Sequence, residues 1–408
     1  MIDVAAGEPM NLARVLAPTA VPAFFERYFE REPLHVARGD AAYFGDLYSV
    51  ADVETAVHVG SRDGGRFAMT RGGATVDNAE LQVERTSIRA NYTGKPPVNV
   101  LDPRAIAARF ERGHTLLISD AALFSPRLQA LCNSIQRETL IYVQANVYLT
   151  PPSEQGFALH HDTHDTLVLQ IEGTKQWHVR KPVVALPIES QPSSPARNEG
   201  EKTVYELHAG DTLYLPRGWR HECTSGTVRS LHVTLAMLPV RAIELAEAAL
   251  RVAATVDVEL RRSLTHGWQE TDGFSERFGE FLAERLRAAF SGPVMRAARD
   301  LVVNELFATT RALAEGTLAD IARLPALNAS TLIGLRDDAP FVIRTEGADI
   351  QLIAAGKATM LPGNCAPVIR ALGSGPMTVA ALEQMLPDAG VALARLLVLD
   401  GLATILDA

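Results

Sequence analysis

Three absences narrow the reading of this 408-residue chain. Cysteine is scarce: Cys132, Cys223 and Cys365 are isolated, odd in number and form no CxxC pair. That argues against a disulfide framework and a zinc–thiolate site, and suits three ordinary thiols in a reducing compartment. Positive charge is also short. With 39 Lys and Arg against 48 Asp and Glu, the net charge is −9, whereas sequence-independent nucleic-acid binding needs a basic surface. Finally, no apolar stretch reaches the roughly 18 residues needed to span a membrane. Met1 to Pro9 contain early acids and no basic segment ahead of an apolar run, so no signal peptide is expected. A cytoplasmic protein with no membrane partner and no direct nucleic-acid partner is the expectation.

What is present is ordinary globular composition, 47% hydrophobic and 21% charged, at a length that suggests two or three domains. Residues 1 to about 140 read as mixed structure. An amphipathic helix from Val21 to Arg31 runs into a strand from Glu32 to Val36, and residues 104–112 and 121–137 have helical patterning. From about 139 to 239 the period becomes two. Tyr142, Gln144, Asn146, Tyr148 and Thr150 share one strand face, and Val143, Ala145, Val147 and Leu149 share the other. His232 and Thr234 likewise oppose Leu231, Val233 and Leu235. Residues 166–171 and 175–179, joined by Glu172-Gly173, read as a hairpin. The Pro-rich stretch 182–197 reads as a surface loop, and loops 62–98 and 182–205 are expected to shape the pocket. Many short strands with Gly and Pro turns indicate a sandwich or jelly roll whose polar faces line a pocket.

After Pro239 the pattern turns helical at 241–263, 275–290 and 294–316, a module suited to packing against the barrel or a second copy of the chain. The last 75 or so residues mix short strands near Val342 and Ile350 with helices. Thr378 is placed as an N-cap, and a helix spans 390–399. Helices followed by a hairpin suggest a winged-helix shape. Residues 331–408 hold five Lys/Arg against eight Asp/Glu, so a docking or structural role is favoured over DNA reading.

Two motifs carry the chemistry. His160 and Asp162 are separated by one residue, which on a strand puts both on one face. His221 follows 61 residues later, at the end of the run GDTLYLPRGWRH from Gly210. Gly210 and Gly218 can take positive φ, and Pro216 fixes the strand exit, so His221 is presented at a strand start. Two imidazoles and one carboxylate suit Fe(II) held on one face, with the other face open. His161 points away from the pair. His164 and Asp165 are placed near the ligands or the substrate, as are Trp219 and His232. Lys175, on the strand face shared with Trp177 and Val179, is the cation available for the far carboxylate of a 2-keto acid chelating iron. Asn146, Tyr148 and Thr234 can add hydrogen bonds.

The segment from Asn146 through His160, Asp162 and Lys175 to Trp177, the run Gly210 to His221, and the later His232-Val233-Thr234 together resemble the JmjC ribosomal oxygenases. The order of barrel, helical module and C-terminal unit matches as well. The resemblance implies an α+β architecture with three parts. These are a double-stranded β-helix (cupin, jelly-roll JmjC) catalytic domain at 1–239, a helical dimerisation domain at 240–328 and a non-DNA-binding winged-helix domain at 329–408. It implies Fe(II) on His160, Asp162 and His221, and 2-oxoglutarate held by Lys175 with Asn146, Tyr148 and Thr234 around it. It also implies a homodimer that hydroxylates a histidine or arginine side chain of a ribosomal protein. The stretch between His221 and His232 is shorter than in the eukaryotic members, and His161, His164 and Trp219 are not shared by all of them. The substrate therefore stays open among a ribosomal protein, a peptide natural-product precursor and a small molecule, as do the hydroxylated atom and hydroxylation against N-demethylation. The rival readings are a cupin dioxygenase that does not use 2-oxoglutarate and a non-enzymatic, metal-binding regulatory cupin.

Overall fold

The computed structural model describes residues 10–60, 64–85, 98–191, 200–264, 266–268, 274–308, 310, 316–336 and 339–406. Residues 62–63 and 86–97 of loop 62–98, the end of the Pro-rich stretch and the end of the helix expected to reach 316 lie outside the described residues. The chain divides into two compact units, Met1–Leu238 and Pro239–Ala408.

The first unit opens with helices α1 (Leu12–Leu16) and α2 (Val21–Arg27), strand β1 (Leu34–Val36) and helix α3 (Val50–Val59). Strands β2 (Phe67–Arg71), β3 (Ala74–Thr75), β4 (Gln82–Arg85) and β5 (Val98–Leu101) precede helix α4 (Pro103–Glu111) and strand β6 (Thr115–Ile118). Helix α5 (Pro126–Thr139) shows how the sequence sets such an element. The Ser125 hydroxyl accepts from the Leu128 N–H, Pro126 occupies the first turn, and Leu140 ends the helix at φ 56°. The expected start at 121 is displaced because Ala121–Leu123 form a separate 3-10 turn before this cap. Leu128, Leu131 and Ile135 fall on one face of α5 and are fully buried. Each contributes about 1.5–3 kcal/mol of transfer free energy as an upper estimate.

The strands that follow are β7 (Tyr142–Thr150), β8 (Asp165–Glu172), β9 (Thr174–Arg180), β10 (Lys202–His208), β11 (Thr212–Leu215), β12 (Arg220–Ser225) and β13 (Ser230–Leu238). They build two facing sheets. The larger has the order β1-β11-β8-β13-β7-β6-β2-β3 and the smaller β10-β9-β12. Thus β2, β3, β4 and β10 occupy parts of the segments read as loops from sequence. The apolar face of β7 (Val143, Ala145, Val147, Leu149) joins Leu167, Leu169, Leu231, Val233 and Leu235 in a core shared with α1 and α5. The opposite face looks inward, where Val168, Trp177, Val179, Leu207, Leu213 and Leu215 pack between the sheets. This is a double-stranded β-helix.

One expectation is corrected. β8 and β9 do not pair as a hairpin: β8 pairs with β11 and β13, whereas β9 pairs with β10 and β12. The Gly173 turn carries the chain from one sheet to the other. Gly173 has φ +71°, and a Cβ there would lie 2.1 Å from the Arg229 carbonyl oxygen, so both the conformation and the close approach require glycine.

The second unit begins with α6 (Ala242–Val256), α7 (Phe274–Ala289) and α8 (Gly292–Ala308). Small residues Ala248 and Ala249 of α6 bury against Ala298 of α8. Next come α9 (Thr317–Arg323), β14 (Leu332–Leu335), β15 (Phe341–Glu346), β16 (Asp349–Ala354), β17 (Lys357–Pro362), α10 (Cys365–Leu372), β18 (Met377–Thr378), α11 (Val379–Met385), α12 (Gly390–Leu399) and β19 (Ala403–Leu406). β15, β16 and β17 form a meander, while β18-β14-β19 form a second small sheet over a core that includes Ile333, Val368, Leu382 and Leu397. Thr378 does cap α11, accepting from the Ala381 N–H at 3.2 Å. No described helix is long and apolar enough to cross a membrane.

Candidate active site

The two motif segments meet at the mouth of the β-helix. His160 lies outside the named strands, so strand alternation is not what aligns it with Asp162. Instead it forms a β-bridge with His221 at the start of β12: His160 N donates to His221 O at 3.1 Å, and His221 N donates back at 2.7 Å. The Gly218 N–H donates to the Asp162 carbonyl at 3.0 Å. Gly210 and Gly218 have φ +92° and +86°, as the motif spacing predicts.

The result is convergence. His160 Nε2 is 3.7 Å from Asp162 Oδ1, and His221 Nε2 is 3.6 Å from Asp162 Oδ2. The three donor atoms all lie within 4.8 Å of one another, and no other such group of His, Cys, Asp or Glu occurs among the described residues. Each imidazole has its other nitrogen on a backbone carbonyl: His160 Nδ1 lies 2.8 Å from Ala158 O, and His221 Nδ1 lies 3.0 Å from Trp219 O. Those carbonyls fix the proton on Nδ1 and leave both Nε2 lone pairs facing the centre. Thr166 Oγ1 donates to Asp162 Oδ2 at 3.2 Å. Burial, aided by His160, pushes the His221 imidazole down to about 4. Burial acts to raise the Asp162 carboxyl, but His221, His164, His160 and the Thr166 hydroxyl outweigh it and hold the carboxyl below its ordinary range. A neutral His221 and an ionised carboxylate are what a divalent metal requires.

Below the triad is a cavity of about 250 Å³, whose walls include Thr115, Tyr148, Phe157, Lys175, Trp177, Cys223, His232 and Thr234. Lys175 is 2% exposed. Its Nζ donates to Thr150 Oγ1 at 2.9 Å and lies 3.5 Å from His232 Nδ1. Among the described residues, no carboxylate pairs with it. Burial lowers its pKa from the ordinary lysine value. Burial, and then Lys175, also push His232 well below its ordinary range, so that ring is neutral. It stacks on Tyr148 with ring centroids 4.7 Å apart.

The structure therefore gathers His160, Asp162, His221, Lys175, Tyr148, Thr234 and His232 around one cavity. Asn146 is not on its wall: the Asn146 Oδ1 accepts from the Asp120 N–H and from the Gln144 side-chain amide. Asp165 is also away from the cavity, fully buried among Tyr214 and Arg217. Trp219 packs beside the inner apolar cluster and offers the site its carbonyl rather than its ring. His164 sits outside the wall, with Nδ1 3.2 Å from the Asp165 carbonyl. His161 turns toward the Gln191 carbonyl, 3.2 Å from its Nε2. Several residues of the site escaped the sequence reading, Thr150 and Cys223 among them. Thr150 was visible on the polar strand face but had no assigned partner. Cys223 reads as an ordinary thiol, yet it lines the cavity beside Lys175.

Two features fit a metal and a dicarboxylate here: three convergent donors of the Fe(II) type, and a buried ammonium without a counterion.

Residues 118–245 match the JmjC domain family. Ribosomal oxygenase 1 of Rattus norvegicus is 33% identical over 278 residues, which is 64% of this chain and 43% of that protein. The bifunctional lysine-specific demethylase and histidyl-hydroxylase NO66 of Drosophila persimilis is 30% identical over 55% of this chain and 31% of its own length. The chain thus spans less than half the length of these curated relatives. Among solved structures, the ribosomal oxygenase YcfD of Escherichia coli, in complex with cobalt and 2-oxoglutarate, superposes with a TM-score of 0.53 at 14% identity. That superposition covers 95% of this chain and 98% of YcfD, and it is a likeness of fold. The β-helix and the triad agree with the JmjC-domain match over 118–245, and the chain is similar to ribosomal oxygenases.

Proposed function

We propose that this chain is an Fe(II)- and 2-oxoglutarate-dependent oxygenase that hydroxylates a protein side chain, a histidine or arginine of a ribosomal protein. The observation that carries the reading is the Lys175 ammonium, buried without a carboxylate on the same cavity wall as the three convergent ligand atoms. Such a charge is costly unless an anion meets it.

His160, Asp162 and His221 would hold the iron through Nε2, a carboxylate oxygen and Nε2. Lys175 would neutralise the far carboxylate of 2-oxoglutarate, with Thr150 fixing the ammonium and Thr234 and Tyr148 closing the wall. When bound, iron and 2-oxoglutarate together supply oxidative decarboxylation coupled to C–H hydroxylation. The chain's own work is to exclude water with Trp177, Phe157 and the stacked Tyr148–His232 pair, and to set which substrate carbon lies close. A protein substrate rests on the names of the relatives and on the net charge of −9, which suits a basic partner such as a ribosomal protein. The reading extends to a homodimer through 240–328, a winged helix at 329–408 that does not bind nucleic acid, and a cytoplasmic location. The helices α6–α8, the β15–β17 meander beside α10–α12 and the scarce, unpaired cysteines support these parts in turn.

The test is a mass-shift screen. Purified ribosomal proteins are incubated with the enzyme, Fe(II), ascorbate and 2-oxoglutarate, and succinate is followed in parallel. Gain of one oxygen on one protein, with matching succinate, is expected. Succinate formation with no protein modified, but stimulated by a free peptide or small molecule, would overturn the ribosomal substrate. No succinate under any condition would overturn the oxygenase reading.

A further inference from the structure

Behind the triad lies a largely buried polar ring, with only Glu30 half-exposed, that touches neither the cavity nor the candidate metal ligands. Asp165, three residues after Asp162, has a side chain with 0% exposure. Tyr214 Oη donates to its Oδ1 at 2.6 Å, and the Arg217 N–H reaches the same oxygen at 3.4 Å. Arg217 Nη1 donates to Asp165 Oδ2 at 3.2 Å and to Glu30 Oε1 at 2.5 Å. The Glu30 N–H closes the ring by donating to Tyr214 Oη at 2.9 Å. Glu30 has φ +58°, a left-handed conformation uncommon for glutamate. Its N–H and its carboxylate are both held by this ring.

The members come from the turn after α2, from the segment that carries His160 and Asp162, and from the segment that carries His221. Each of the latter two segments also touches Asp162 one residue away from the ring. Thr166, next to Asp165, donates to the Asp162 carboxylate, and Gly218, next to Arg217, donates to the Asp162 carbonyl. The ring thus links the segments that carry the two halves of the triad.

We propose that Arg217 is a positioning residue which, through Asp165, Tyr214 and Glu30, fixes the separation of the Asp162 and His221 segments and so the coordination geometry of the metal. This rests on the reading of His160, Asp162 and His221 as a metal site. A guanidinium is planar and presents its donors at fixed angles, so one nitrogen can hold two carboxylates in a set arrangement. A lysine ammonium in the same place keeps the charge but not the angles. Burial raises the Asp165 carboxyl from its ordinary range against the pull of Tyr214 and Arg217, so the ring depends on both donors.

The experiment uses the full chain, metal-free, titrated with Co(II) alone and followed by its visible d–d absorption. The variants are Arg217→Lys, Tyr214→Phe and, as a destabilised control far from the ring, Leu131→Ala. The expected result is Co(II) affinity weakened about tenfold or more in Arg217→Lys, with an altered band shape, a smaller loss in Tyr214→Phe, and wild-type affinity in Leu131→Ala. Wild-type affinity and band shape in a folded Arg217→Lys would overturn the proposal, as would equal weakening in Leu131→Ala. If Arg217→Lys does not fold, Tyr214→Phe decides by the same readout, and unchanged binding there overturns the proposal. Failure of the wild type to bind Co(II) would instead overturn the metal reading on which the proposal rests.

Discussion

Lys175 Nζ and Thr150 Oγ1 meet 2.9 Å apart across the interior of the β-helix, one from each of the two facing sheets. The hydroxyl orients the ammonium but does not neutralise it. Thr150 is itself held by Thr115, whose Oγ1 donates to it at 3.2 Å. A fixed, uncompensated cation at the bottom of a cavity is a receptor for an anion, and most of the expected behaviour follows from it.

Replacing Lys175 with Met should separate binding from stability. The Michaelis constant for 2-oxoglutarate should rise at least 100-fold, since a charge-assisted contact is lost. The metal-free protein should melt no lower than wild type and should gain about 1 kcal/mol, because a buried ammonium with no counterion is removed. Thermal melts of apo Lys175→Met check the second part; a fall of several degrees would show that the ammonium stabilises the fold.

Thr150→Val should keep the shape and remove the hydroxyl. One hydrogen bond to a charged group is worth about 1.5–3 kcal/mol, so the Michaelis constant for 2-oxoglutarate should rise about tenfold or more with little change in metal affinity. Steady-state kinetics with varied 2-oxoglutarate test this.

Asp162→Ala should abolish turnover of 2-oxoglutarate and reduce metal binding to background, because the carboxylate is the one anionic member of the triad. Retained succinate production would reject the ligand assignment.

His221 and His232 both have folded pKa values below the unfolded value of about 6.5. In the folded metal-free protein they stay neutral where the unfolded chain takes up protons. Their contribution is therefore fully present above pH 6.5 and is lost as pH falls below it, by up to about 1.4 kcal/mol per pH unit for each group. Denaturant unfolding at pH 5.5 and 7.5 should show lower stability at the acid pH, and His232→Phe should flatten the difference.

Gly173→Ala should destabilise the protein by about 2 kcal/mol or more, since the added Cβ meets both an unfavourable φ and the Arg229 carbonyl. A denaturation midpoint equal to that of wild type would mean that the crossing between the sheets tolerates side chains.

The chemistry was more legible in the sequence than the topology. His160, Asp162 and His221 could be read because metal ligation restricts residue type and spacing, and the glycines around His221 mark the turns that deliver it. The two-residue period assigned faces correctly along β7 and β13, since alternation is a local property of one strand. Which sheet a strand joins is not local. The Glu172-Gly173 turn looks the same whether the chain folds back on itself or crosses to the opposite sheet, and it crosses. Asn146 shares its strand face with Tyr148, but its amide oxygen is taken by the Asp120 N–H, a partner from a distant segment. Asp165 looked like a site residue because it stands beside two ligands. Burial next to Arg217 makes it a support instead, and no sequence pattern pairs residues 52 positions apart. Cys223 and Thr150 carry no motif and became visible only with Lys175 between the sheets.

The central claim is that the triad holds iron and that Lys175 holds 2-oxoglutarate beside it. Its most direct test is anaerobic addition of Fe(II) and 2-oxoglutarate to the wild type and to Lys175→Ala, followed by visible absorbance. The account predicts the weak charge-transfer band of the iron–keto-acid chelate in the wild type and its loss or marked weakening in the variant. Bound iron with no band in the wild type, or a band of equal strength in Lys175→Ala, would contradict it.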